Sequence, residues 1–178
     1  MRGLMMGRFQ PFHMGHLALA GQVLAECDDG LIVAITSSQF NYMEKDPFTA
    51  GERMEMVHDS LVESGADMSR CHVAAIENQF NIATWGGYLR AALPSFGRVY
   101  SGNPYVVMLL TDLGVDVVPP AFLDRQRYNA TLIRRMIRAG GGGWEDLVPD
   151  AARRILTRIG ARKRLLTIHN SDTRPTEH

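Results

Sequence analysis

The chain has 178 residues and only two cysteines, Cys27 and Cys71, which lie 44 positions apart. Such a pair makes neither a disulfide framework nor a zinc knuckle, and it points to reduced thiols and a cytoplasmic setting. No apolar run approaches the roughly 18 residues of a membrane span. Met1 to Met6 lead straight into a polar, aromatic stretch with no small-residue cleavage pattern, so no secretory leader is expected. Net charge is missing too: 19 basic and 19 acidic residues cancel, leaving no global field toward nucleic acid or anionic lipid. There is no internal repeat, and the glycine run 140–143 lacks the Lys-Ser/Thr of a phosphate loop. What remains is ordinary: 46% hydrophobic and 21% charged residues, enough for a core without disulfides or a structural metal.

Short apolar runs alternate with helix-like stretches. Leu4 to Met6, Leu31 to Ile35, His72 to Ile76, Arg98 to Ser101 and Val115 to Val118 read as strands. Between them, helices are expected from about Gly15 to Cys27, from Thr49 to near Gly65, from Thr84 to Leu93 and from Asn103 to Leu113. Thr49 and Glu52 match a capping box, and Asn103-Pro104 an N-cap followed by a proline at the first helical position. The alternation predicts an α/β protein, a doubly wound parallel sheet of about five strands with helices on both faces. Two more helices, Thr131 to Ala139 and Ala151 to Ile159, are separated by the glycine run, which composition alone makes a flexible linker. The expected division is a nucleotide-binding core over 1–128, a helical part over 129–159, and a polar tail over 160–178 that frays for want of anchoring residues. Arg162, Lys163 and Arg164 in that tail read as a solvated face.

The segment Gly7-Arg8-Phe9-Gln10-Pro11-Phe12-His13-Met14-Gly15-His16 falls between the first strand and the first helix. In an open parallel sheet that is the carboxyl edge, where ligands bind. Free amides at the helix start suit an anion, Gly15 lets a ligand approach the backbone, and His13 and His16 can converge on one point. The plain alternative is a pair of histidines that only cap the helix.

This decapeptide resembles the HxGH signature of nucleotidyltransferases and, at full length, the GRFQPFHxGH string of archaeal-type nicotinamide mononucleotide (NMN) adenylyltransferases. Asp46 to Arg53 is similar to that family's DPFTxxER segment, Ser101-Gly102-Asn103-Pro104 to its SGNP turn, and Asn129 to Arg134 to its SxTxxR signature, with asparagine in place of serine. The resemblance spans Met1 to about Ile159 and implies a Rossmann-like fold. It implies catalytic roles for His13, His16, Lys45 and Arg134. It implies an ATP site of Gly7, Arg8, Phe9, Gln10, Gly15, Ser101, Gly102, Asn103, Asn129 and Thr131. For NMN it implies Trp85, Asn78 and Asn81, although Asn78 stands where related sequences often carry aspartate. A tryptophan face suits a cationic pyridinium.

The implied reaction is in-line attack by the NMN 5′-phosphate on the α-phosphorus of ATP, giving NAD and pyrophosphate. Mg²⁺ comes with ATP, and no protein metal ligands are expected; His13 and His16 lack a third zinc ligand at a recognisable spacing. Partners are ATP and NMN, without nucleic acid or membrane, and a homo-oligomer, a hexamer by family habit. Two alternatives remain: another small-molecule nucleotidyltransferase, such as one acting on phosphopantetheine, or a nucleotide-binding sensor of the same fold that has lost catalysis. A class I aminoacyl-tRNA synthetase is excluded by length and by the lack of a KMSKS-like loop.

Overall fold

The computed structural model describes residues 1–171 except 80, 122, 123 and 125. Five strands, β1 (Gly3–Gly7), β2 (Leu31–Ile35), β3 (Cys71–Ala75), β4 (Arg98–Tyr100) and β5 (Asp116–Val118), form one sheet in the order β3-β2-β1-β4-β5. Every pairing is parallel; Met5 on β1 lies opposite Val33 on one side and Tyr100 on the other. The chain builds outward from β1 to β3, then returns to β4 on the other flank. The order therefore reverses between β1 and β4, and a crevice opens beyond their carboxyl ends.

Among the described residues seven helices surround the sheet: α1 (Met14–Glu26), α2 (Ala50–Glu63), α3 (Trp85–Ala92), α4 (Pro104–Asp112), α5 (Ala130–Ala139), α6 (Asp150–Arg158) and α7 (Ala161–Asn170). Strand alternation divides the core in two. Met5, Leu31, Val33 and Ile35 pack with Val23 of α1, Met56 and Val57 of α2, and Ile133, Ile155 and Leu165 of the last three helices. Leu4, Ile32, Ala34 and Val99 pack on the other side with Leu89 of α3 and Leu110 of α4. Because both faces are covered, all five residues of β2 are buried, which explains its unbroken apolar run.

Two expectations for the last third are corrected. The glycine run is not a free linker: Gly140, at φ 77°, caps α5 in the left-handed conformation, its N–H reaching the carbonyls of Met136 and Ile137. Nor does the chain fray from Gly160. Residues 161–170 form α7, whose Leu165 enters the core, and Arg164 is half-buried against Glu52 rather than solvated. The anchoring partners lie more than a hundred positions upstream, where local composition cannot reveal them. Residues 172–178 of the expected tail lie outside the described residues.

Candidate active site

The turn after β1 is built around Gln10. Its side-chain amide donates to the carbonyl of Phe48 at 3.0 Å and its side-chain oxygen accepts the Phe48 N–H at 2.9 Å. This locks the β1–α1 turn to the segment before α2. The Gln10 side chain is thus occupied, and only its backbone is available to a nucleotide. Phe9, at φ 50° and 2% exposed, turns its ring inward edge-on to His16, with centroids 4.8 Å apart.

His13 is the N-cap of α1. Its Nδ1 accepts the His16 N–H, and the Nδ1 of His16 accepts the His13 N–H, both at 3.3 Å. The imidazoles stack 3.5 Å apart, 15° from parallel. The pair is therefore a histidine version of the capping box. Capping uses only Nδ1, so each neutral ring carries its proton on Nε2. Burial lowers the His13 pKa to about 4. Burial, and then the adjacent His13, holds His16 well below the usual imidazole range. The two rings are neutral donors near neutral pH. Gly15 leaves them room: a Cβ there would lie 3.0 Å from Cβ of Tyr128 and 3.3 Å from the His13 ring.

Arg134 projects from the start of the second turn of α5 and is 9% exposed. It donates to the Gln10 carbonyl at 2.8 Å and to Thr131 Oγ1 at 3.3 Å. Among the described residues no carboxylate lies within ion-pair distance of it. Burial, then nearby Arg8, lowers its pKa. A desolvated guanidinium without an ion-pair partner is able to hold an anion. Asn129 caps α5, its Oδ1 accepting from the N–H groups of Thr131 (2.9 Å) and Leu132 (3.2 Å). The replacement of serine by asparagine therefore preserves the helix start.

Three neighbouring cavities share residues and form one continuous cleft. The first, about 250 Å³, lies beside His13, Gly15, His16, Ser101, Gly102 and Asn103. The second, about 300 Å³, joins the two histidines to Arg8, Phe9, Asn129, Thr131 and Arg134. The third, about 360 Å³, joins Gly7 and Arg8 to Asn78 and Trp85. A basic extension of about 490 Å³ adds Lys45, Arg135 and Arg138 to Arg8 and Arg134, with Glu44 as its one acidic side chain. A larger cavity of about 760 Å³ lies among α5, α6 and α7 and holds none of the expected site residues.

Asn81 is the one expected residue absent from this cleft: its side chain accepts the Ala83 N–H at 3.1 Å, capping a short 3-10 turn. Gln39, by contrast, was not expected. Its side chain clamps the backbone of Asn78, accepting the Asn78 N–H at 3.1 Å and donating to its carbonyl at 3.3 Å. Arg53 was also missed. It is fully buried and donates to the carbonyls of Arg8, Thr36, Ser37 and Thr49, gathering the ends of β1 and β2. Its place in the DPFTxxER segment was a signal, but helical position alone would put such a side chain in solvent. Tyr128 lines both cavities at the histidines and left no sequence signal.

Residues 4–136 match the cytidylyltransferase-like family model. The nicotinamide-nucleotide adenylyltransferase of Caldivirga maquilingensis is 41% identical over 174 residues, covering 98% of this chain and 97% of its own. Those of Pyrobaculum neutrophilum and Saccharolobus solfataricus are 43% and 39% identical, covering 92% and 96% of this chain and 92% and 98% of their own. This chain belongs to the nicotinamide-nucleotide adenylyltransferase family. A solved bifunctional NMN adenylyltransferase/ADP-ribose pyrophosphatase from Francisella tularensis, complexed with AMP and a manganese ion, superimposes with a TM-score of 0.76. At 18% identity it shows the shared fold, over 93% of this chain and 51% of that one, so this chain spans about half its length.

Proposed function

We propose that the protein transfers the adenylyl group of ATP to NMN, forming NAD and releasing pyrophosphate. One observation carries the reading beyond family membership: His13, His16 and Arg134 line one cavity, which shares both histidines with the cavity beside Gly102 and shares Arg8 with the cavity beside Trp85. A reaction joining two nucleotides needs that layout, with a phosphate site between two ring pockets.

In this reading the adenosine lies by Ser101–Asn103, and the nicotinamide ring lies on Trp85 near Asn78. The Nε2–H groups of His13 and His16 donate to the phosphate chain, strengthening as charge develops at the α-phosphate. Arg8, Arg134 and Lys45 hold the β- and γ-phosphates and then pyrophosphate. The NMN phosphate is itself the nucleophile, so positioning and charge stabilisation suffice, without a side-chain base. Mg²⁺ would arrive with ATP, as is usual for an ion held mainly through substrate phosphates. No described helix is long and apolar enough to cross a membrane, and a cytoplasmic location is the matching proposal. Exposed Tyr105 and Met108 on α4 offer apolar surface for self-association, readable by light scattering.

The test is product formation from Mg·ATP with NMN, nicotinic acid mononucleotide or phosphopantetheine as acceptor. His16→Gln, which retains a side-chain acceptor for the capping box, serves as the blank. NAD formation that falls about 10²- to 10³-fold in the variant supports the reading. Turnover with phosphopantetheine alone would reassign the Trp85 pocket.

A further inference from the structure

Lys45 lies on the segment between β2 and α2, which no regular element holds. A turn fixes its immediate surroundings: Met43 N–H donates to the Asp46 carbonyl at 3.2 Å, and Asp46 N–H to that of Met43 at 3.0 Å. Arg8 pairs with Asp46 at 3.4 Å, Gln10 holds Phe48, and Asn41 accepts the Ala50 N–H; further side-chain ties around Lys45 come from the C-terminal third.

Arg164 of α7 makes a two-pronged ion pair with Glu52, at 2.6 and 2.8 Å, with both side chains 16% exposed. The same guanidinium donates to the Pro47 carbonyl at 3.3 Å and lies 4.9 Å from the centre of the Tyr42 ring. One side chain thus touches residues on both sides of Lys45. His169 of α7 and Arg138 of α5 meet Glu44, the residue before it, at 3.1 and 3.7 Å. Glu52 in turn accepts the Thr49 N–H at 2.9 Å, so the α2 cap and the α7 contact share one carboxylate. Its pKa is lowered: burial works against that shift, but the hydrogen bonds from Arg164 and Thr49 prevail. Leu165 and Ile168 of α7 also line the basic extension of the cleft that contains Lys45.

We propose that α7 is the abutment that holds the Lys45 loop at the phosphate end of the cleft, with Arg164 as its positioning residue. A planar guanidinium paired bidentately fixes orientation as well as distance, which a lysine cannot do. Arg164 touches no substrate; it acts by keeping the Lys45 ammonium where a triphosphate needs it. The inference rests on the reading of Lys45 as a phosphate contact.

The test combines amide hydrogen exchange with kinetics on wild type, Arg164→Ala, Arg164→Lys, Lys45→Ala and the Lys45→Ala/Arg164→Ala double variant, below the melting temperature of each. In Arg164→Ala the amides of Met43 and Asp46 are expected to exchange faster, while those of β1 and β2 keep their protection. KM for ATP is expected to rise about tenfold with KM for NMN unchanged, as for loss of one charge-assisted contact. Arg164→Lys, which keeps the charge and spares the fold, should lie between. In the Lys45→Ala background the Arg164 substitution should add nothing to KM for ATP. Unchanged exchange at Met43 and Asp46, or additive effects in the double variant, overturns the proposal. If wild type makes no NAD, the functional reading fails instead, and the exchange data still decide whether α7 holds the loop.

Discussion

The guanidinium of Arg134 donates to the backbone carbonyl of Gln10 at 2.8 Å, joining residues 124 positions apart. One arginine thereby fastens the start of α5 to the turn that carries the two histidines. Arg134→Lys keeps the charge but loses the two-directional fork that reaches Gln10 and Thr131 together. A fall in kcat/KM of about 10²-fold is expected, measured as initial rates of NAD formation. Wild-type rates in the variant would remove Arg134 from the phosphate site.

The histidine pair makes folding sensitive to acid. Burial sets the folded pKa of His13 at about 4, below its value of 6.5 in the unfolded chain, and His16 moves the same way. The unfolded chain therefore takes up these protons first. Stability is complete above pH 6.5 and declines as pH falls toward 4, by roughly 3 kcal/mol for His13. Urea titrations between pH 4 and 8 measure the slope. His13→Asn keeps an N-cap acceptor without the titrating ring, so its stability should vary less over that window.

The ring pocket gives a prediction about selectivity. Trp85→Ala should raise KM for NMN by roughly ten- to thirtyfold while sparing KM for ATP, because a cationic ring loses its aromatic face. A matching rise for ATP would place the adenine, rather than the nicotinamide, on this side of the cleft.

Arg53 donates to four carbonyls from a fully buried position. Arg53→Ala leaves those acceptors unsatisfied beside a void, and a loss of about 3 kcal/mol is expected in the urea midpoint. A near-neutral midpoint would mean that water replaces the guanidinium.

The parallel sheet and the histidine turn were legible because their signals are local. An apolar run such as Leu31 to Ile35 and a cap such as Asn103-Pro104 report what their own neighbourhood does. The site residues missed were those whose reasons are remote. Gln39 matters through Asn78, and Arg53 through carbonyls just past the ends of two strands. Arg164 reads as one of three basic residues in a row until Glu52 is placed beside it. The zero net charge was equally uninformative about the cleft, where five basic side chains gather around one glutamate. Asn81 is the converse case: resemblance assigns it to NMN, and in the structure its side chain closes a turn.

The order in which these parts occur along the chain has a consequence for biosynthesis. The last strand ends at Val118, before Asn129, Arg134 or any of α7 has been made. A domain generally folds as a unit, once the ribosome has delivered the parts of its core. Because Ile133, Ile155 and Leu165 share a core with β1 and β2, a chain made only as far as Val118 still lacks the cover of one sheet face. The Arg164–Glu52 contact is among the last to become possible, so a product truncated before α7 would lack both that tie and the Leu165 contribution to the core.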